Sequence, residues 1–131
     1  MDSDPVRRQR GTQKIGEILG QTAEQAEKSL GDIAPGLATY VLETVYGGIY
    51  QSPVLDSRTR QIVTVAALAT LGSAGPQLRT HIGGALNCGV SREELVEIMT
   101  QLVPYVGLAA AINGVIACRE VFAAKDATKT T

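Results

Sequence analysis

LDSRTRQIVTVAALATLGSAGPQLRTHIGGALNCGV, residues 55–90, is the stretch that decides the fold of this chain. It predicts two helices joined by a glycine-rich turn, because Asp56 can cap the first helix with its carboxylate and Pro76 suits the first turn of the second. Gly72 begins the turn between them. The second helix carries the only histidine of the chain, His81, from which the functional predictions start.

The composition is that of a small globular protein. Its 131 residues fit one domain, which we place at 11–124, between a flexible N-terminus at 1–10 and a flexible C-terminal tail at 125–131. Twelve basic residues balance 13 acidic ones without long blocks of either sign, so nucleic acid is not an expected partner. No apolar run suits a secretion signal or a membrane span, so we expect a cytoplasmic protein without membrane contact.

Helical periodicity begins upstream of the central pair. An amphipathic helix is predicted over about 7–19, and Thr22 with Gln25 forms a capping box for a second, short helix. A third helix is predicted from Asp32. Its apolar face, which should pack inward, consists of Ile33, Leu37, Tyr40, Val41, Thr44 and Val45.

The two central helices and the helix after them have distinct sequence patterns. IVTVAALATL (62–71) is apolar almost all round, which indicates burial on every face and also suits burial against a second copy. The His81 helix is predicted over 76–88. Ser91 and Glu94 then form a capping box, and Pro104 should kink or interrupt the helix that follows.

A last amphipathic helix is predicted from Leu108, after Gly107 reopens the backbone. No stretch alternates at period two between turn residues, so the predicted fold class is all-α. Cys88 and Cys118 lie thirty positions apart and are expected to be small buried side chains. His81 has no second ligand at metal-binding spacing, so we predict no metal site.

His81 supports two interpretations. A histidine titrates near neutral pH and can both take and give a proton, so one such residue suffices for acid–base work on a bound substrate. Alternatively, its hydrogen bonds are satisfied within a helical core. Small residues after it, including Gly83 and Gly84, suit either a ligand space or a tight helix crossing.

Candidate substrate-binding residues flank the start of the central pair. Arg58, Arg60 and Gln61 occupy the first turn of the predicted helix, and guanidinium groups match carboxylates in bidentate geometry. Tyr46 and Tyr50 can add phenolic hydroxyl groups. A solvated first turn and half-buried core tyrosines are the alternative interpretations.

Three segments together resemble the carboxymuconolactone decarboxylase family over about 11–122. They are YGGIYQSPVLDSRTRQIVTVAAL (46–68), QLRTHIGGALNCGVSREELVEIMTQL (77–102) and YVGLAAAINGVIACREVF (105–122). The resemblance implies an alkyl hydroperoxidase D-like domain of about six to seven helices that assembles into a homo-oligomer, a trimer or a hexamer.

The same resemblance implies a function. It is cofactor-free decarboxylation, or related proton-transfer chemistry, on a small anionic lactone or cyclic carbonyl compound, as in the catabolism of aromatic compounds. His81 coincides with the histidine of the family's helix motif and would protonate the carbanion left by carbon dioxide. Arg58 or Arg60 would hold a carboxylate, with Gln101 in the same site.

This chain departs from the family pattern at several positions. Gly48 stands where the decarboxylases carry an acidic residue, Gln61 where members often have glutamate, and Gln101 where the decarboxylases have histidine. These neutral residues leave an alternative open, a non-catalytic oligomeric domain that binds a ligand or a protein. The Cys-x-x-Cys pair of the hydroperoxidase branch is absent from 74–77, which argues against a peroxidase.

Overall fold

A computed structural model describes residues 3–129, and every regular element in that range is helical, as predicted. The contacts divide the chain into two compact units, residues 1–57 and 58–131. That 11–124 forms one domain stays a prediction. The α-helices are α1 (Pro5–Leu19), α2 (Ala23–Lys28), α3 (Pro35–Tyr40), α4 (Ser57–Leu71), α5 (Gly75–Asn87), α6 (Arg92–Val106) and α7 (Leu108–Lys129), with a π-helix (Val41–Tyr46) after α3 and a 3₁₀ turn (Ile49–Gln51).

Helix α1 begins inside the segment that was predicted to be flexible. Asp4 caps it, its Oδ1 accepting hydrogen bonds from the backbone N–H groups of Val6 (3.0 Å) and Arg7 (3.1 Å). Pro5 then occupies the first turn, where its missing N–H costs nothing. The cap therefore fixes the start of the helix at Pro5, while the flexibility of 1–10 stays a prediction and residues 1 and 2 lie outside the described residues.

Two glycines allow α1 to lie directly against the π-helix. A Cβ atom on Gly11 would sit 1.8 Å from the carbonyl oxygen of Leu42, and one on Gly47 would sit 2.1 Å from that of Arg7. Real Cβ atoms do not approach backbone this closely, so no larger residue fits either position. Both glycines are buried, and the other buried residues of the first unit are Ile15, Ile18, Ala26, Ala38, Leu42, Glu43 and Tyr46.

The predicted inward face of the third helix is wrong. The helix begins at Pro35 instead of Asp32, which leaves Ile33 83% exposed, and Leu37 is exposed as well. Beyond Tyr40 the hydrogen bonds change to the i→i+5 pattern, as in the 2.9 Å bond from the Gly47 N–H to the Leu42 carbonyl. A face predicted from α-helical spacing cannot persist through π-helical turns.

In the second unit, only one stripe of α4 is buried within the chain. Gln61, Val65 and Ala69 recur every four residues and are buried, whereas Val63 is 56% and Leu71 66% exposed. The prediction that every face is buried is therefore wrong for a single chain. The core cluster comprises Val65, Ala69, Leu78, Ile82, Ala85, Val90, Leu95, Met99, Ala117 and Cys118.

The predicted helix ends are confirmed at three glycines. Gly72, Gly89 and Gly107 have φ of +72°, +90° and +94°, in the region that favours glycine. The capping box of α6 is also present, because Ser91 Oγ accepts from the Glu94 N–H (3.0 Å) and Glu94 Oε1 accepts from the Ser91 N–H (3.1 Å). The corresponding box of α2 is present too.

The C-terminal helices run further than the sequence predicted. Pro104 lies within the last turn of α6, where its missing N–H removes only one intrahelical bond, and the helix continues to Val106. Helix α7 extends through the predicted flexible tail to Lys129. Lys125 Nζ lies 2.9 Å from Asn87 Oδ1, and Arg92 holds both carboxylate oxygens of Asp126 (2.6 and 3.1 Å).

These contacts tie the end of α7 to α5 and α6, while residues 130 and 131 lie outside the described part of the chain. Among helices within 3–129, none combines the length and apolar character needed to cross a bilayer.

Candidate functional site

His81 and Gln61 form the centre of the candidate site. His81 lies in the middle of α5, and its Nδ1 is 2.9 Å from Oε1 of Gln61 in the second turn of α4. Gln61 is completely buried, whereas His81 is only partly buried. Two helices that are consecutive in the chain therefore bring together residues that are 20 positions apart.

Burial lowers the pKa of His81 below its ordinary value of 6.5, because the charged imidazolium loses hydration that the protein does not replace. Its partner at Nδ1 is a neutral amide, which supplies no opposing charge. The ring is therefore mainly neutral at pH 7, which is the form that can accept a proton.

Arg58 pairs with an acidic residue of α6. Its Nη2 donates to Oε2 of Glu94, while Oε1 of the same carboxylate completes the capping box with Ser91. The hydrogen bond from Arg58 holds the pKa of Glu94 below its ordinary value, and the hydrogen bond from the Ser91 backbone makes a smaller contribution in the same direction. Both side chains of the pair are about half exposed to solvent, which limits the strength of the pair.

The other two candidates in this unit lie outside the His81–Gln61 contact. Arg60 is partly buried in the first turn of α4, and its carbonyl accepts a 2.8 Å hydrogen bond from the Thr64 hydroxyl. Gln101 is exposed on α6. It follows Glu94 by seven residues, or two helical turns, and so lies on the same face of that helix.

The two tyrosines pack on each other within the first unit. Their ring centroids lie 4.8 Å apart with the planes tilted by 59°. Tyr46 is only 3% exposed, and its carbonyl accepts a 2.8 Å hydrogen bond from Gln51 Nε2. Gly48 lies between the two tyrosines in the sequence. Packing explains why glycine occupies this position, because a Cβ atom there would lie 2.5 Å from the carbonyl oxygen of Thr44.

Sequence reasoning missed two carboxylates with defined partners. Glu94 was predicted only as a cap, although a capping carboxylate has a second oxygen that can pair with an arginine. Glu43 is buried in the π-helix and accepts hydrogen bonds from Ser3 Oγ (2.6 Å) and the Asp4 N–H (2.9 Å), and the bond from Ser3 contributes most to lowering its pKa. No pattern in the sequence signals Glu43.

Both cysteines are free thiols, Cys88 partly buried and Cys118 buried. Burial raises the pKa of Cys118 to about 11, so this thiol stays protonated at neutral pH and is a poor nucleophile. Across residues 3–129 no three histidine, cysteine, aspartate or glutamate side chains gather closely enough to hold a metal ion.

Comparison with known proteins gives one family match and several similar relatives. The profile described as "Carboxymuconolactone decarboxylase family" matches residues 35–120. The chain is 29% identical over 121 residues to the 4-carboxymuconolactone decarboxylase of Acinetobacter baylyi. The aligned segment covers 92% of this chain and 90% of that protein.

Two further relatives have names that specify no reaction. An uncharacterized 15.0 kDa protein from the nqo9-nqo10 intergenic region of Paracoccus denitrificans is 28% identical over 100 residues, covering 76% of this chain and 75% of that protein. Peroxisomal protein 2 of Saccharomyces cerevisiae is 30% identical over 86 residues, covering 65% of this chain but 30% of the yeast protein.

Proposed function

Because this chain belongs to the carboxymuconolactone decarboxylase family, we propose that it is an enzyme that works without a cofactor on a small anionic lactone or cyclic carbonyl compound. The reaction is decarboxylation or a related proton transfer. The similarity to a named decarboxylase over nearly the whole chain supports the reaction class. The observation that carries the proposal is the hydrogen bond that holds His81 against buried Gln61.

In the decarboxylation, the bond between the substrate carboxylate and its neighbouring carbon breaks and carbon dioxide leaves. The electron pair stays on the substrate, delocalised toward the carbonyl oxygen, and a proton must then reach that carbon. His81, neutral at rest, first takes a proton from solvent and then delivers it to that carbon as an imidazolium. The step consumes one proton and needs no redox partner.

The arginines provide binding for the substrate's negative charge. Arg60 lies one turn before Thr64 on α4, and Arg58 is held by Glu94 in a pair that is exposed to solvent. Such pairs contribute only about 0–1 kcal/mol, so a substrate carboxylate can take the place of Glu94 on Arg58. Gln61 and Gln101 are the other binding residues proposed in the second unit, and a binding role for Tyr46 and Tyr50 of the first unit stays a prediction.

Replacing His81→Asn tests the catalytic role. With small carboxylated lactones as substrates and carbon dioxide release or substrate isomerisation as the readout, we expect kcat to fall at least about 100-fold, the lower range for loss of a general acid or base. Gln77→Ala is the matched control, because Gln77 is exposed one helical turn before His81. Unchanged turnover in His81→Asn would show that His81 has no catalytic role.

A second candidate function is supported by the same neighbourhood. Arg58 already has a carboxylate partner and His81 already has a hydrogen-bond partner, as expected of a domain that binds a ligand without transforming it. Such a domain would show a raised Tm with a small carboxylate that mass spectrometry recovers unchanged. If the protein instead converted that compound to a product, the result would support the enzymatic function over the ligand-binding one.

We also propose that the chain forms a homo-oligomer, a trimer or a hexamer. Exposed apolar side chains recur every four residues on α7, at Leu108, Ile112 and Ile116, and α4 exposes Val63 and Leu71. Apolar stripes of this kind are typical of surfaces covered by another chain. Light scattering should give a mass of three or six chains, and a monomer at micromolar concentration would contradict the proposal.

A further inference from the structure

We infer that Gln61 is a positioning residue that holds His81 as a neutral ring with its proton on Nδ1, leaving Nε2 as the nitrogen that exchanges protons with substrate. The role of Nε2 rests on the proposed function. The position of the proton does not, because it can be measured on the free protein.

The geometry of the contact determines where the proton lies. Oε1 of Gln61 is 2.9 Å from Nδ1 of His81, and an amide oxygen can only accept a hydrogen bond. The Nδ1 atom must therefore carry hydrogen. In a neutral imidazole the other nitrogen then has a free lone pair, so Nε2 is the basic atom.

Burial keeps the amide of Gln61 in this orientation. Gln61 is completely buried, and no buried side-chain nitrogen or oxygen among residues 3–129 lacks a hydrogen-bond partner. If the amide were rotated by half a turn, Nε2 and Oε1 of Gln61 would exchange places. Each atom would then lose its present hydrogen-bond partner. An unsatisfied buried polar group costs about 1–3 kcal/mol, which favours the observed orientation.

Neutrality of the pair follows from the chemistry of both residues. A glutamine carries no charge that could stabilise an imidazolium, and burial of His81 acts against the charged form. A glutamate at position 61 would accept the same Nδ1–H bond but would add a negative charge beside the ring. The choice of amide over carboxylate therefore sets the charge of His81 without changing its orientation.

A neutral His81 begins the reaction as a base. In the proton-transfer form of the proposed reaction, Nε2 takes a proton from a carbon next to the substrate carbonyl and the C–H electron pair moves toward the carbonyl oxygen. The resulting imidazolium returns that proton to another carbon of the conjugated system, so the substrate is isomerised and the ring is neutral again. The substrate class is thus narrowed to carbonyl compounds with an acidic C–H group.

The single histidine of the chain makes the experiment direct, because only one imidazole contributes to the spectrum. Nitrogen-15 NMR of the ring across pH 4–9 reports the tautomer and the titration midpoint. In the wild type we expect a protonated Nδ1 and an unprotonated Nε2 at pH 7. In Gln61→Glu we expect the midpoint to rise by about one pH unit or more, as for a histidine beside an opposite charge.

Two further variants separate positioning from general effects. Gln61→Leu keeps a similar volume but removes the acceptor, so the ring should lose its preference for the Nδ1–H form. Gln77→Glu makes the same charge change on an exposed side chain one turn before His81 and should move the midpoint far less. If Gln61→Leu does not fold, Gln61→Glu and the wild type still give both readouts.

An Nε2–H tautomer or an imidazolium in the wild type at pH 7 would overturn the inference, as would an unchanged midpoint in Gln61→Glu. Failure of the proposed function has a different signature. In that case the Nδ1–H tautomer is observed and depends on Gln61, but His81→Asn leaves turnover unchanged.

Discussion

At the scale of single residues, the chemistry of His81 is set by the side chain opposite its Nδ1 atom. Gln61 carries no charge, and its Oε1 atom can only accept a hydrogen bond, so the histidine is held in one orientation and kept neutral. Arg58, which was predicted to hold a substrate carboxylate, pairs with Glu94. The residue proposed for proton transfer and the residue proposed for carboxylate binding therefore contact different neighbours.

The lowered pKa of His81 predicts the direction of the pH dependence. If the neutral ring starts the reaction as a base, kcat/KM rises as the pH increases through a value below 6.5 and is level at neutral pH. In Gln61→Glu the rise should move to higher pH. Initial rates between pH 4.5 and 8 measure both curves, and activity that falls over the same interval would instead identify His81 as the initial acid.

At the scale of helices, the N-terminus of α6 combines two stabilising features in one residue. Glu94 closes the capping box with one oxygen and pairs with Arg58 on α4 through the other. Its carboxylate also lies in the first turn, where the helix dipole favours negative charge. Local capping and a contact between helices thus reinforce each other at this position.

Replacing Ser91→Ala tests the cap. The variant loses the acceptor for the Glu94 N–H, so the free energy of unfolding should fall by about 1 kcal/mol, the usual cost of removing a serine cap. Urea denaturation followed by circular dichroism measures the change. Ser73→Ala, at an exposed bend outside any helix, is the control and should change little.

A pair of glycines tests the packing of helix against helix. A Cβ atom on Gly114 of α7 would lie 2.4 Å from the sulfur of Met99, which is fully buried in α6. Gly114→Ala should therefore lower stability by about 1–3 kcal/mol, the usual cost of overpacking. A Cβ atom on Gly83 of α5 meets nothing within 4 Å, so Gly83→Ala should raise stability by about 0.5–1 kcal/mol.

Thermal or urea unfolding of both glycine variants gives the comparison directly. Equal effects of the two substitutions would show that helix propensity dominates and that the Met99 contact relaxes without cost. The result at Gly83 also bears on the space near His81, because a stabilised variant that keeps its activity would exclude a requirement for glycine at that position.

At the scale of the whole molecule, stability against acid depends on groups with lowered pKa values. The unfolded chain binds a proton at His81 more readily than the folded chain does, so the free energy of unfolding is greatest above pH 6.5 and decreases as the pH falls toward the lowered value. Glu94, Asp126 and Glu43 act in the same direction at lower pH, below their ordinary values of 3.8–4.5.

We therefore predict two separate losses of stability on acidification. Urea titrations at pH 7, 6 and 5 should show a decrease that is smaller in His81→Asn, because that variant has no group to titrate in this range. The further loss that comes from Glu43, Glu94 and Asp126 at lower pH should be common to both proteins. An equal pH 7-to-5 decrease in both would show that His81 is not perturbed by folding.

The sequence by itself determined the helical class, most of the helix boundaries and the motif around His81. These features depend on local chemistry, such as the left-handed glycines at 72, 89 and 107 and the Ser91–Glu94 box, which a short window of residues contains. The same local rules failed at 41–46, where π-helical bonds altered the periodicity. Helix α7 extends to Lys129 and contacts α5 and α6 there, while the flexibility of the C-terminal tail stays a prediction.

Only the tertiary structure decided which side chains meet. Gln61 and Arg58 were both candidates for the substrate site, yet one contacts His81 20 positions away and the other contacts Glu94 36 positions away. Periodicity shows which face of a helix a residue occupies, but the partner depends on how the helices pack, and packing is set by non-local contacts such as Met99 against Gly114. The tautomer and charge proposed for His81 follow from that packing, because the nearest acceptor to a ring nitrogen belongs to another helix.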